Sequence, residues 1–432
     1  LANEYGIQNL RVPKEKVVFT KDSSKFFKPS FSLNIIKVLV LRFFSVFNNR
    51  SIKKFGLKTT DNFCGVLYTG FMDKSVIIKA IKKLKDNEAM EILLHPCEFS
   101  GNCSDEYLEG DRDYAVSYNR IDELKLLLDF DLYSYVLNSS QLITFDDLSN
   151  AEQVSNKLLT LKNVKSREKK SLNVFIIFDE TTFFHPHLLH KLINDIDLVN
   201  CVGALRVTSP KGGTIQSYLI KKWKQLGFLD LFKLAAKTLI WKLIDLFPPF
   251  IKGSFSSSVK STLIRNKISF KTINKIDEET ISFIKSKKPD VILSSNSLIF
   301  SKEVLDIPRI CCINRHSSLL PSYGGILPVF RSIQFQEEYC GASIHVMDEG
   351  IDTGPVLSRK FLPIYQNDSL FILYRMLFVL SFVAIEEALN KIIEGKLEED
   401  LEIKDHNLTK SYFSYPNNSD WKEFKRNGGS FI

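Results

Sequence analysis

The run Leu172-Asn-Val-Phe-Ile-Ile-Phe178 is almost continuously apolar. No other stretch limits the possible folds of this chain more. A strand with one wet face alternates polar and apolar residues. One that is apolar at nearly every position must be covered on both faces, as in a parallel sheet with helices on each side. The sequence after it keeps that grammar. A helix is expected over 186–194, a strand over 198–207, a helix over 278–287, and strands over 290–294 and 310–314. This alternation predicts an α/β fold with a Rossmann-like sheet, whose ligands sit at the carboxyl ends of the strands.

At 432 residues the chain is expected to form two to three domains. Residues 1–148 read as a first unit. Helical periodicity with a buried face runs over 35–44, short buried strands over 65–69 and 90–95, a helix over 74–85 between them, and another over 122–128. That is βαβ order and implies a partial (β/α) barrel or parallel sheet. Residues 149–171 turn charged and lose any core pattern, which marks a linker. The second α/β unit covers 172–365, and 366–432 read as a helical C-terminal appendix. Within the second unit, 223–250 mixes large apolar residues with Lys224, Lys233, Lys237 and Lys242. The charges rule out a membrane span. Two readings stand: a packed helical insertion, or a face lying on a membrane surface.

Hydrophobic content of 44% and charged content of 25% exclude disordered and fibrous classes. The net charge of +8 is spread through Lys-rich segments rather than gathered in an arm, so no DNA surface is expected. A mild positive balance suits an anionic nucleotide or folate. Seven cysteines form no spaced framework and no metal-ligand pattern, which points to a reducing, cytoplasmic setting, with membrane contact at most peripheral at its inner face. The chain opens at Leu1-Ala-Asn rather than Met, which reads as part of a longer protein.

The chemistry is carried by three segments in order. They are Asn314-Arg-His316-Ser-Ser-Leu-Leu-Pro321-Ser-Tyr-Gly324-Gly325, then Gly341-Ala-Ser-Ile-His345, then Gly350-Ile-Asp352-Thr-Gly354-Pro355. They place an amide, an imidazole and a carboxylate at expected strand ends beside Pro/Gly turns. Those groups suit acyl transfer: donors for a developing oxyanion and a carboxylate to relay a proton. The wording resembles the folate-dependent formyltransferases over about 173–364. The resemblance implies transfer of a formyl group from 10-formyltetrahydrofolate to a primary amine through a tetrahedral intermediate. It also implies Asn314, His316 and Asp352 as the catalytic set. The cosubstrate would be seated by Leu293, Ser294, Ser295 and Asn296, a loop more polar here than in the family, together with Leu320, Pro321, Gly324 and Gly325. His345 would contact substrate or serve its strand structurally. Tyr412-Phe-Ser-Tyr-Pro416 resembles a closing segment found after the catalytic domain in several of these enzymes.

In the first unit, Leu10-Arg11-Val-Pro13, Lys58-Thr-Thr-Asp61, Glu91-Ile-Leu-Leu-His95-Pro96 and Ser117-Tyr-Asn-Arg120 occur in series. They resemble the C-terminal half of YdjC-type (ChbG-like) carbohydrate deacetylases. That family removes N-acetyl groups from sugars with a divalent metal. Its ligands, an early Asp-Asp and a His-rich segment, lie upstream of the matched region, so neither a metal site nor deacetylase activity is expected in the part present here. His95 and Arg11 would line the barrel mouth as substrate groups, or His95 would simply be a strand-end histidine.

The acceptor follows from elimination within the formyltransferase resemblance. Phe178-Asp-Glu-Thr-Thr-Phe183 lacks the Gly-Ser-Gly phosphate loop of glycinamide-ribonucleotide formyltransferases. The sequence after Ile364 is too short and too helical for the C-terminal barrel of methionyl-tRNA formyltransferases, so tRNA is not expected. An amino sugar, nucleotide- or lipid-linked, is favoured. A deacetylase exposes an amine on a sugar and a formyltransferase caps it, so the fusion would be a bifunctional pair. The alternatives are methionyl-tRNA formylation, or a formyltransferase-fold binding module without catalysis.

Overall fold

A computed structural model describes residues 7–15, 17–18, 20, 29–97, 109–140, 171–181, 183–208, 230, 232–239, 258–397 and 408–432. The chain forms two compact units that no single cut in the sequence separates. One comprises 1–99, 117–165 and 249–254; the other comprises 100–116, 166–248 and 255–432.

The first unit holds helix α1 (Pro29–Lys54), strand β1 (Asn62–Cys64), α2 (Lys74–Ile81), β2 (Met90–Ile92), α4 (Tyr118–Leu128) and α5 (Phe130–Ser139); α3 (Glu109–Ala115) belongs to the second unit. β1 and β2 pair in parallel with α2 as the crossover, the βαβ order expected. The strand expected at 65–69 is instead a turn, and β1 ends just before it. Val66, Leu67 and Tyr68 pack there as a buried loop. Its backbone needs a partner, and the buried Glu15 carboxylate supplies one, accepting from Gly65 N at 3.0 Å and Leu67 N at 2.8 Å. α1 buries only a narrow stripe, including Phe31, Asn34 and Val38. Leu33, Ile36, Leu39, Val40, Phe43 and Phe44 stay exposed, so the expected buried face is only partly formed.

The second unit is built on a seven-stranded sheet. Its strands are β3 (Leu172–Asp179), β4 (Val199–Val207), β5 (Phe270–Ile273), β6 (Val291–Ser295), β7 (Cys311–His316), β9 (Tyr339–Val346) and β10 (Val356–Pro363). The order is β10-β9-β7-β6-β3-β4-β5. The five strands from β7 to β5 run parallel, and β9 runs antiparallel to both its neighbours, β7 and β10. This is the Rossmann-like α/β sheet read from the sequence. From β3 the chain winds outward to β4 and β5, then returns to β6 on the other side of β3. The carboxyl ends of β3 and β6 therefore flank a topological switch point, where such sheets bind ligands.

Helices α6 (His185–Asp195), α7 (Val259–Arg265), α8 (Glu278–Ser286) and the short α9 (Lys302–Leu305) make the crossovers. α8 starts where Asp277 caps Thr280 N at 2.9 Å. Next come the two-residue β8 (Gly324–Gly325), α10 (Pro328–Gln334), the long α11 (Leu370–Ile393), β11 (Tyr412–Phe413) and α12 (Asn418–Arg426). α11 carries Leu373, Leu377, Phe382, Ile385 and Leu389 fully buried and packs against β9 and β10. The helix of the expected appendix thus forms part of the core of this unit.

Most of the expected linker lies outside the described residues. So does most of 223–250, of which 232–239 are helical. Among the described residues no helix is long and apolar enough to cross a membrane.

Candidate active site

β7 delivers the first two groups. Parallel strands put side chains alternately on opposite faces, so Asn314 and His316 point one way while Arg315 between them is buried on the other. There its guanidinium lies 3.8 Å above the Phe378 ring and donates to Ser381 Oγ at 2.8 Å. His316 is the last residue of β7, which runs two residues past the strand expected over 310–314. β9 pairs antiparallel with β7 and sets His345 opposite Asn314. Asp352 arrives from the loop between β9 and β10. That loop depends on Gly354, where a Cβ would lie 2.0 Å from the Val346 carbonyl.

The four side chains meet. His345 Nδ1 is 2.9 Å from the Val346 carbonyl, which fixes its proton on that nitrogen and leaves Nε2 as an acceptor for Asn314 Nδ2 at 3.2 Å. His316 Nε2 lies 3.2 Å from the Tyr323 carbonyl and donates to it. Its Nδ1 stands 3.6 Å from Asp352 Oδ1, and His345 Nε2 is also 3.6 Å from that oxygen. Both distances are too long for hydrogen bonds, so the two imidazoles converge on one carboxylate oxygen without bonding it. The other oxygen, Asp352 Oδ2, accepts from Gly325 N at 2.9 Å.

Electrostatics assigns the charges. Burial works against an Asp352 carboxylate, but His345, His316 and the Gly325 N–H together outweigh it and hold the carboxyl at about 2. Burial drives the His316 imidazole below its ordinary value, and the opposing pull of Asp352 does not cancel this. At neutral pH the site holds an anionic carboxylate beside a neutral imidazole. Asp352 and Tyr323 both adopt left-handed backbone, with φ of 55° and 58°.

The turn holding these groups is braced from far along the chain. β11 pairs in parallel with β8, Tyr412 against Gly324 and Phe413 against Gly325. Gly325 has φ of 92°, and a Cβ there would sit 2.3 Å from the Phe413 carbonyl. Sequence reasoning missed this pairing; the glycine pair was its one local signal.

The remaining named residues fall as follows. Leu293 is fully buried in β6. Ser294 Oγ accepts from Asn296 Nδ2 at 2.9 Å, and that nitrogen also reaches the Ile177 carbonyl at 3.2 Å. Ser295 Oγ is 2.8 Å from Nε2 of the buried His185, whose pKa burial and Arg315 push down to about 3. Asp179, not singled out from the sequence, stands across the switch point from Ser297, with its carboxyl raised by burial. Leu320 is buried while Pro321 is exposed, after a cis peptide bond. In the first unit, Arg11 pairs with Glu91. The buried Glu123 accepts from the His95 N–H and stands 3.9 Å from His95 Nδ1 and 3.8 Å from Arg120. Among the described residues no three His, Cys, Asp or Glu side chains form a metal-binding set. The deacetylase metal has no fitting site among them.

Residues 253–379 match the protein-family model described as Formyl transferase, and residues 1–137 match the model described as YdjC-like protein. The chain therefore joins a formyl transferase domain to a YdjC-like domain, the fusion read from its motifs. It is 38% identical over 121 residues to a methionyl-tRNA formyltransferase of Aromatoleum aromaticum, covering 28% of this chain and 38% of that one. The corresponding protein of Clostridium tetani is 34% identical over 145 residues, covering 33% and 47%. The chain thus spans less than half the length of these curated relatives. Among solved structures, phosphoribosylglycinamide formyltransferase from Anaplasma phagocytophilum is similar at TM-score 0.38 and 14% identity, over 57% of this chain and 100% of that one. WlaRD, a sugar 3N-formyl transferase solved in the presence of dTDP and 5-N-formyl-THF, is similar at TM-score 0.35 and 19% identity, over 56% and 69%.

Proposed function

We propose that this chain is a folate-dependent formyltransferase acting on the primary amine of an amino sugar. The observation that carries formyl transfer is the convergence of Asn314, His316, His345 and an ionised Asp352 at the end of β7. 10-Formyltetrahydrofolate supplies the formyl carbonyl. The switch point at the carboxyl ends of β3 and β6, where Ser297 donates to Asp179 at 3.4 Å, supports seating the cosubstrate there.

Asn314 has a second amide N–H not given to His345, which stabilises negative charge developing on the formyl oxygen. His316 donates its Nε2 proton to Tyr323, so its Nδ1 carries the lone pair. That nitrogen takes a proton from the attacking amine. The imidazolium so formed faces the Asp352 carboxylate 3.6 Å away, which stabilises the new charge. The proton then passes to the leaving folate nitrogen.

The YdjC-like segment supports the amino-sugar acceptor, because the resemblance implies a partner chemistry that exposes sugar amines. The names of the matched relatives favour a second reading, methionyl-tRNA. The deciding experiment incubates the chain with 10-formyltetrahydrofolate and either amino-sugar nucleotides or charged initiator tRNA. Formylation of sugars alone supports the first reading and of tRNA alone the second. No product from any amine, with the chain folded, removes both and leaves the binding module.

A further inference from the structure

We infer that Ser411 is a positioning residue for the site, acting through the turn that orients His316 and Asp352. The inference rests on the formyl-transfer reading above and extends it to a segment that reading does not use.

Ser411 makes three hydrogen bonds to one turn. Its N–H donates to the Pro321 carbonyl at 3.2 Å, its Oγ accepts from Tyr323 N at 2.9 Å, and its carbonyl accepts from Gly324 N at 2.9 Å. Neighbours extend the brace. Ser322 Oγ donates to the Thr409 carbonyl at 2.9 Å, and Ile326 N donates to the Phe413 carbonyl at 2.9 Å. The Tyr323 ring lies nearly parallel to that of Phe413, at 17° and 5.6 Å between centroids.

The braced turn has two outputs. The Tyr323 carbonyl takes the His316 Nε2 proton, and Gly325 N–H holds Asp352 Oδ2. Tyr323 needs such a brace, because a bulky residue at φ of 58° stays there only if its surroundings hold it. The Ser411 hydroxyl is the acceptor of the Tyr323 N–H. Without it the Tyr323 N–H loses its acceptor in the brace, and the φ of 58° that sets where the Tyr323 carbonyl points relaxes about the remaining Gly324 N–H bond to the Ser411 carbonyl. The imidazole then loses the contact that fixes its tautomer, and its Nδ1 lone pair is no longer assured. Ser411 makes its hydrogen bonds to the turn and not to the four clustered side chains, so its effect falls on turnover rather than on substrate affinity.

The test compares Ser411→Ala with Ser411→Thr, which keeps the hydroxyl, in the full chain. Ser411→Cys, with its weak acceptor, replaces the Ala variant if that variant does not fold. Two readouts are used: kcat and KM for formyl transfer, and the His316 ring-nitrogen tautomer by long-range proton–nitrogen NMR without ligand. The expected result is a kcat lowered by about tenfold to 100-fold with KM changed less than about threefold. The NMR should show loss of the pure Nε2–H form, and Thr should restore both. Parent-like kcat, or Thr no better than Ala, overturns the inference, as does an unchanged tautomer in the Ala variant. Because the tautomer is read without substrate, it still decides the positioning role if the chain proves to formylate nothing.

Discussion

Arg112 lies in α3, within the stretch matched to the YdjC-like family, yet its guanidinium is fully buried in the second unit. It grips Asp368 through both oxygens, at 2.7 and 2.9 Å, donates to the Pro363 carbonyl at 2.7 Å, and lies 4.5 Å over the Tyr365 ring. Burial disfavours its charge, but Asp368 and Asp113 outweigh that and raise its pKa. Asp368 precedes Ser369, the N-cap of α11, and Pro363 ends β10, so the pair pins the junction between an edge strand and the longest core helix. Arg112→Met would leave Asp368 buried, with the Tyr365 N–H at 2.8 Å as the remaining donor to its carboxylate among the described residues. Breaking a buried pair from one side costs about 3–5 kcal/mol. In a unit of this size that is a fall in Tm of roughly 10 °C. Replacing both partners, as Arg112→Met with Asp368→Leu, removes the stranded charge. The double variant should therefore lose less than the two singles combined, by about 2 kcal/mol or more. Urea unfolding of the parent, both singles and the double measures this directly. A single variant within about 0.5 kcal/mol of the parent, or strictly additive singles, would refute the argument.

Other outcomes follow from the site. His316→Ala and Asp352→Asn should each lower kcat by roughly 100-fold or more, and steady-state kinetics with any accepted amine will check it. His316 must be neutral to act, so kcat/KM should fall on acidification with a midpoint below the ordinary histidine value. Asp352→Asn removes an anion that raises the His316 pKa, so it should move that limb lower still. A limb above the ordinary value would count against the assignment. Asp352 is depressed on folding, so its contribution is complete above the unfolded pKa and is lost as pH falls through about 2. That contribution is on the order of 2 kcal/mol, and acid unfolding of Asp352→Asn should lack the corresponding step. Gly325→Ala should detach β11, because its Cβ collides with the Phe413 carbonyl; proteolysis within 408–417 would report this.

The parallel strands were legible because they are buried on both faces, and burial writes itself as apolar runs at 172–179 and 291–295. Edge strands were harder. β5 carries Lys271 and Thr272, and β10 carries Arg359 and Lys360, so neither gives a run. At 65–69 the apolar residues were read correctly as buried, but their backbone is satisfied by Glu15, a partner no local pattern reveals. Asn314, His316 and Asp352 could be named because side chains that do chemistry leave a motif. Their cradle could not, since β8 and β11 meet through backbone hydrogen bonds, which leave almost no trace in residue identity.

The left-handed conformations at Tyr323 and Asp352 carry a consequence for anyone engineering this chain. Each costs of order 1 kcal/mol or more, and glycine at either position would relieve it. The same exchange would forfeit the roughly 2 kcal/mol contributed by the depressed Asp352 carboxyl, or the Tyr323 ring stacked on Phe413 at 5.6 Å. A screen for heat tolerance should therefore pass over glycine at both codons, and the strained turn should persist even in lineages selected for survival alone.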